Sequence, residues 1–180
     1  MPSGGSRARS GPAPDPRSGA SDRKGLKFKS LPAKGYDGDA PEFPLKKQLR
    51  FYVYYEDKQR IREVDDAATD AFREAELEYW FWAWRTPQAA LWATDQWAWV
   101  VPAVADWCRL KAMTTDPDCP TAIWTAIRQR EGDILLSNDA LLRAGYTVAT
   151  DEVGERREQA AEPANRGGSR GRLKAVGDGR

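Results

Sequence analysis

Several carboxylates in this chain lie close enough in sequence to work together. Glu74 and Glu78 stand four residues apart, one turn of a helix, with Glu76 between them and Asp65 and Asp66 just upstream. Such a set has the chemistry to bind a metal ion or to act as paired acid and base. No companion ligands accompany it, so a solvated or intersubunit face is the simpler reading. The chain has no histidine, which removes the commonest general base and every Ser-His or Cys-His nucleophile pair. Cys108 and Cys119 are its only cysteines. Cys108, between Trp107 and Arg109 on an apolar pattern, reads as a small buried hydrophobe rather than a reactive thiol. No glycine-rich loop ends in Gly-Lys-Ser/Thr, so no nucleotide-hydrolysing site is suggested. We therefore expect no enzymatic activity, no metal and no cofactor.

Cations and aromatics carry the other chemistry. The net charge of +1 hides a partition: residues 1–50 are +6, residues 51–150 are −6 and residues 151–180 are +1. A basic arm on an acidic body suits phosphate contacts, although a solubilising tail has the same composition. The arm offers Arg7, Arg9, Arg17, Arg23, Lys24, Lys27, Lys29 and Lys34, with Arg128, Arg130 and Arg143 further along and a second basic run from Arg166 to Lys174. All eight tryptophans, Trp80, Trp82, Trp84, Trp92, Trp97, Trp99, Trp107 and Trp124, fall in one central stretch. Indoles stack on single-stranded bases when cations are interleaved with them. Here only Arg85 and Arg109 are near, and the helical spacings point to core and subunit-interface packing instead.

These groups need a frame. Mean hydropathy is −0.72, and the length suits one domain with solvated tails. Neither an apolar run long enough to span a membrane nor a secretory signal is visible, so a soluble, cytoplasmic protein is expected. Residues 1–44, punctuated by proline and glycine, predict a disordered basic arm and linker without helix or strand, with Tyr36 and Phe43 laid on the body. Residues 45–150 form the expected helical domain, and 151–180 a flexible tail in which 155–161 prolongs a helix briefly. The run Leu49–Tyr55, then Glu56–Gln59, then Arg60–Val64 suits a short β-hairpin, with a helix over 46–64 as its competitor. Leu77, Trp80, Phe81 and Trp84 predict one apolar helix face. Thr86-Pro87 restarts a helix that runs to Met113, recapped at Thr94-Asp95 and kinked at Pro102. Pro120 opens a third helix with Ile123, Ile127, Arg130 and Ile134 on one face. Ser137 caps a short last helix that Gly145 ends. Helix, short turn and short helix is the outline of a helix-turn-helix, and also of how any small bundle ends. The fold class is mainly α, a small helical bundle.

Gly11-Pro-Ala-Pro-Asp-Pro-Arg-Ser18 with Ser21-Asp-Arg23, Leu31-Pro32, Ala40-Pro-Glu-Phe-Pro-Leu45, Glu76-Leu-Glu78, Trp80 and Trp84-Arg-Thr-Pro-Gln-Ala89 occur in that order. A Trp-rich helix follows, and the late segment closes on Tyr146 and Val148. The chain resembles, from about Gly11 to Ala149, the small terminase subunits of tailed phages infecting actinobacteria. It departs from them at Leu135-Leu-Ser-Asn138, where a Gly-Leu-Thr-Pro-like turn is expected. The resemblance implies a non-enzymatic subunit in the host cytoplasm that assembles as a ring and binds double-stranded viral DNA. It would hand that DNA to a large subunit holding the ATPase and nuclease. A virion structural or adaptor protein, using its Trp-rich helices on another protein, is the alternative.

Overall fold

The computed structural model describes residues 11–16 and 18–149. In chain order it contains α1 (Gly19–Arg23), β1 (Lys29–Leu31), β2 (Arg50–Glu56), β3 (Gln59–Asp65), α2 (Asp66–Ala83) and α3 (Ala89–Trp92). A 3₁₀ turn (Asp95–Val100) leads into α4 (Val101–Met113), α5 (Thr121–Asp133), α6 (Asn138–Arg143) and β4 (Tyr146–Val148). Helices take up about 47% of the described residues. The strands form two separate pairs, β2 with β3 antiparallel and β1 with β4 parallel. None of these helices is long and apolar enough to cross a membrane.

The segment 49–64 resolves to the hairpin. Asp57 and Lys58 both take positive φ, +48° and +63°, the two-residue turn whose twist matches that of the flanking strands. Asp65 then caps α2, its carboxylate accepting from the Ala68 N–H at 2.8 Å. The capped helix buries Thr69, Phe72, Glu76, Trp80 and Ala83. This face differs from the one the apolar residues define, because Phe81 is 52% exposed while the buried Glu76 occupies a core position. Glu76 is therefore no part of a solvated acidic face. Its carboxylate takes a hydrogen-bonded ion pair from Arg109 of α4 and lies 3.1 Å from Arg73. The same guanidiniums donate to the carbonyls of Leu45 and Lys46, each at 2.6 Å. One buried charge thus joins α2, α4 and the incoming linker, which is how a group so costly to desolvate is tolerated.

Around it the aromatic side chains meet edge to face. Phe43 meets Trp80 (5.2 Å between centroids), Trp80 meets Trp84 (5.5 Å), and Trp84 meets both Tyr36 (5.9 Å) and Trp92 (6.0 Å). Such pairs avoid facing like-charged ring faces. The Trp80 indole donates to the Pro41 carbonyl at 2.9 Å and the Trp92 indole to the Ile134 carbonyl at 3.1 Å. Tyr36 and Phe43 do lie on the body as expected. Gly35 makes this docking feasible: at φ +83° it passes so close to the Arg85 carbonyl that a Cβ would sit 1.9 Å from the oxygen.

Three expectations need correction. Residues 11–44 are not without structure: α1 forms, and β1 pairs with β4 through Lys29↔Tyr146 and Leu31↔Val148. The buried Leu31, 5% exposed, anchors that strand, and its partner lies over a hundred residues away, beyond any local pattern. The helix expected from 87 to 113 is broken, because Thr86 and Thr94 turn their hydroxyls back to Ala83 and Leu91 carbonyls, closing turns instead of capping. Pro102 lies in the first turn of α4, where a missing N–H costs nothing, so it opens that helix and does not kink one. Ser137, by contrast, caps α6 through the Ala140 N–H, and Gly145 follows α6 at φ +80°.

Candidate nucleic-acid interface

The β1–β4 pairing does more than close the fold. The Lys29 N–H donates to the Gly145 carbonyl and the Ala149 N–H to the Leu31 carbonyl, both at 2.8 Å. Upstream, Arg143 of α6 donates to the Gly11 carbonyl at 2.7 Å. Between these ties Ser21, 4% exposed, bonds the Asp15 carbonyl at 2.6 Å and holds α1 in place. The segment from Gly11 to Leu31 is thus laid against α6 and β4. Arg23, Lys24, Lys27 and Lys29 are exposed along it, as is Lys34 just beyond it. Long cationic side chains on a fixed backbone suit phosphate contacts, which position a nucleic acid without reading its sequence.

The other expected cations are placed differently. Arg130 reaches Asp106 at 3.6 Å and Asp133 at 3.4 Å, in a groove between α4 and α5. Arg143 is spent on Asp139 (2.8 Å) as well as on Gly11, and the hydrogen bond to Asp139 pushes its already high pKa up. Arg128 is exposed on α5. Arg7, Arg9, Arg17 and the run Arg166 to Lys174 lie outside the described residues, as does the 155–161 stretch. α5, the turn 134–137 and α6 follow one another as expected. In that turn Leu135 takes φ +62°, a left-handed conformation costing a side-chain-bearing residue roughly 1–2 kcal/mol. Its burial, at 7% exposed, holds it there.

The tryptophans divide. Trp80, Trp84, Trp92 and Trp107 are buried and Trp97 half-buried, whereas Trp82, Trp99 and Trp124 are 56%, 69% and 48% exposed. Trp82 stacks on Trp107 at 5.8 Å. With Tyr79, Lys111, Glu78 and Glu131 these rings line a cleft of about 410 Å³. Glu74 and Glu78 are exposed. Cys108 is fully buried, and burial first, then the neighbouring Glu76 charge, pushes its thiol far up. A thiol held protonated in this way is a poor nucleophile.

Sequence reasoning missed a second basic surface. On the hairpin, cross-strand pairs put Phe51, Val53 and Tyr55 on one face with Val64, Arg62 and Arg60. The Arg62 guanidinium lies 3.6 Å over the Phe51 ring. The alternation was present in the sequence, but it has meaning only once the Asp57-Lys58 turn fixes which residues face each other. Comparison of the chain with family models, with curated proteins and with solved structures gives no match.

Proposed function

We propose that this chain is a small terminase subunit: a non-catalytic protein that binds double-stranded viral DNA, assembles as a ring, and delivers the DNA to a large ATPase/nuclease subunit in the host cell cytoplasm. The observation that carries this reading is the pairing of the basic segment Arg23–Lys34 with β4 through Lys29–Leu31, with Gly11 upstream held by Arg143 of α6. That tie sets exposed cations beside the α5–turn–α6 end, so phosphate contacts and a helix-turn-helix would face one duplex together. The wording Trp84-Arg-Thr-Pro-Gln-Ala89 adds the family resemblance. Exposed Trp82, Trp99 and Trp124 supply apolar surface for contacts between subunits. Cyclic closure needs two different faces of the body to meet.

Because β1 is part of the fold, cutting off the arm would damage the body. Replacing Lys24, Lys27, Lys29 and Lys34 by glutamine leaves the backbone intact. Duplex binding should then weaken, and the log–log salt dependence should become shallower by about 0.9 for each phosphate no longer neutralised. An unchanged slope overturns the segment's role. Light scattering of the purified protein should give a stable oligomer. A monomer that shifts no DNA would favour the adaptor reading, in which the exposed tryptophans meet another protein.

A further inference from the structure

The β2–β3 hairpin exposes an unusual amount of aromatic surface. Phe51, Tyr52, Val53, Tyr54, Tyr55 and Val64 are between 36% and 73% exposed, and an isolated two-stranded ribbon is marginal without something on its face. Its two faces are unlike. Tyr52 and Tyr54 share one face with Glu63, to which both phenols donate. Phe51, Val53 and Tyr55 share the other with Arg60 and Arg62, and no carboxylate pairs into that face.

The arginine face overlooks a cleft of about 850 Å³, floored by Ala68, Ala71, Phe72 and Ala75 of α2. Arg50, at its root, lies 4.0 Å over the Phe72 ring. Asp116 is the one acid in the lining, against Arg50, Arg60 and Arg62. A guanidinium resting over a ring, as Arg62 does over Phe51, can still offer N–H groups to an anion. Tyr55, the most exposed of these aromatic side chains at 73%, offers a free ring.

We infer that this cleft binds an unpaired nucleic-acid strand, with phosphates on Arg60 and Arg62 and a base stacked on Tyr55. Exposed Arg60 and Arg62 on one strand, across from the open Tyr55 ring on the other and above a largely alanine floor, match a charged backbone with bases free to stack. A duplex buries its base faces and so has none to offer the Tyr55 ring. An acidic peptide would answer the arginines but leave the Tyr55 ring without a planar partner. The inference rests on the nucleic-acid reading above, and adds a second site for a different form of the same ligand.

Labelled oligothymidylate and a labelled duplex, titrated against the full chain at several salt concentrations, test it. Arg60→Gln with Arg62→Gln should make the single-strand salt slope shallower by about 1.4, at about 0.7 per phosphate, while duplex binding is unchanged. Tyr55→Ala should weaken oligothymidylate binding roughly tenfold at an unchanged slope, as a lost stack does. All three positions are exposed, so the variants should fold, and a circular dichroism spectrum matching that of the parent checks this. If the variants bind oligothymidylate like the parent while the duplex still binds, the cleft has no such role and the nucleic-acid reading survives. If the parent binds neither form, both fall.

Discussion

The Glu76 centre and the β2–β3 hairpin are adjacent in sequence and built from similar residues, aromatics with arginines and a glutamate, yet they do opposite things. Around Glu76 the glutamate is buried, both guanidiniums also hold linker carbonyls, and the Trp80 and Trp92 indoles each find a carbonyl. On the hairpin the rings stand in solvent and the arginines lie on them or line the cleft. The difference is the number of elements that meet. α2, α4 and the linker close on Glu76 from three sides, whereas the hairpin ends without a cover. Aromatic content marks apolar surface; only packing partners decide whether that surface becomes core or contact.

The sharpest way to break this contrast is to remove the central charge. Glu76→Gln leaves Arg73 and Arg109 without their counter-ion, and breaking a buried pair typically costs about 3–5 kcal/mol. Denaturant unfolding should show a loss of at least about 3 kcal/mol. A loss below about 1 kcal/mol would mean that the arginines simply turn to solvent. Next is Gly35→Ala, which sets a methyl against the Arg85 carbonyl at a positive φ. Strain of this kind costs about 1–3 kcal/mol. Limited proteolysis should then cut within 36–46 faster than in the parent, because Tyr36 and Phe43 lose their seats. Unchanged cleavage would show that the linker is held from its Leu45 end alone.

On the hairpin the sign reverses. Asp57→Asn with Lys58→Gly gives the turn the pair it prefers and relieves the left-handed strain at position 58, so stability should rise, by about 1 kcal/mol. Hydrogen exchange of the β2–β3 amides is the direct readout, since a marginal ribbon opens locally before the body does. Slower exchange confined to 50–65 is expected, and no slowing would mean that the turn is already unstrained.

How much of this was legible in the sequence follows the range of each cause. Ser137 capping α6, Gly145 ending it and the buried Cys108 all act within a few residues, and their patterns point correctly. The hairpin was legible from its aromatic and β-branched run. Glu76 misleads because a charge between two other glutamates looks solvated, and only Arg109, from another helix, reveals otherwise. β1 is invisible locally because its three residues pair with a strand over a hundred positions away. Phe81 fits an apolar stripe that the tertiary packing does not bury, since the buried face is set by partners from elsewhere: Arg50 at Thr69 and Phe72, Arg109 at Glu76, and Phe43 at Trp80. Among the expected cations, Arg130 and Arg143 carried no sequence signal of their acidic partners on α4, α5 and α6 beyond spacing within their own helices.

The smallest effect is in the pH dependence of the hairpin's other face. Hydrogen bonds from Tyr52 first, then Tyr54, hold the Glu63 carboxyl below its ordinary range, and the bonds to Glu63 raise both phenols above theirs. A carboxylate with a lowered folded pKa stabilises above its unfolded value, about 4.3, and that contribution is lost as pH falls through the lower folded value. A phenol with a raised folded pKa stabilises below its unfolded value, about 10, and loses this as pH rises through the folded one. The ribbon should therefore be indifferent to pH across the neutral range and loosen at both ends. Exposure and salt screening keep the effect small. Ring-proton NMR can follow Tyr52 and Tyr54 through alkaline titration in the parent and in Glu63→Gln. Their midpoints should move down toward the ordinary phenol value in the variant, and coincident titrations would show that Glu63 does not hold the two rings in solution.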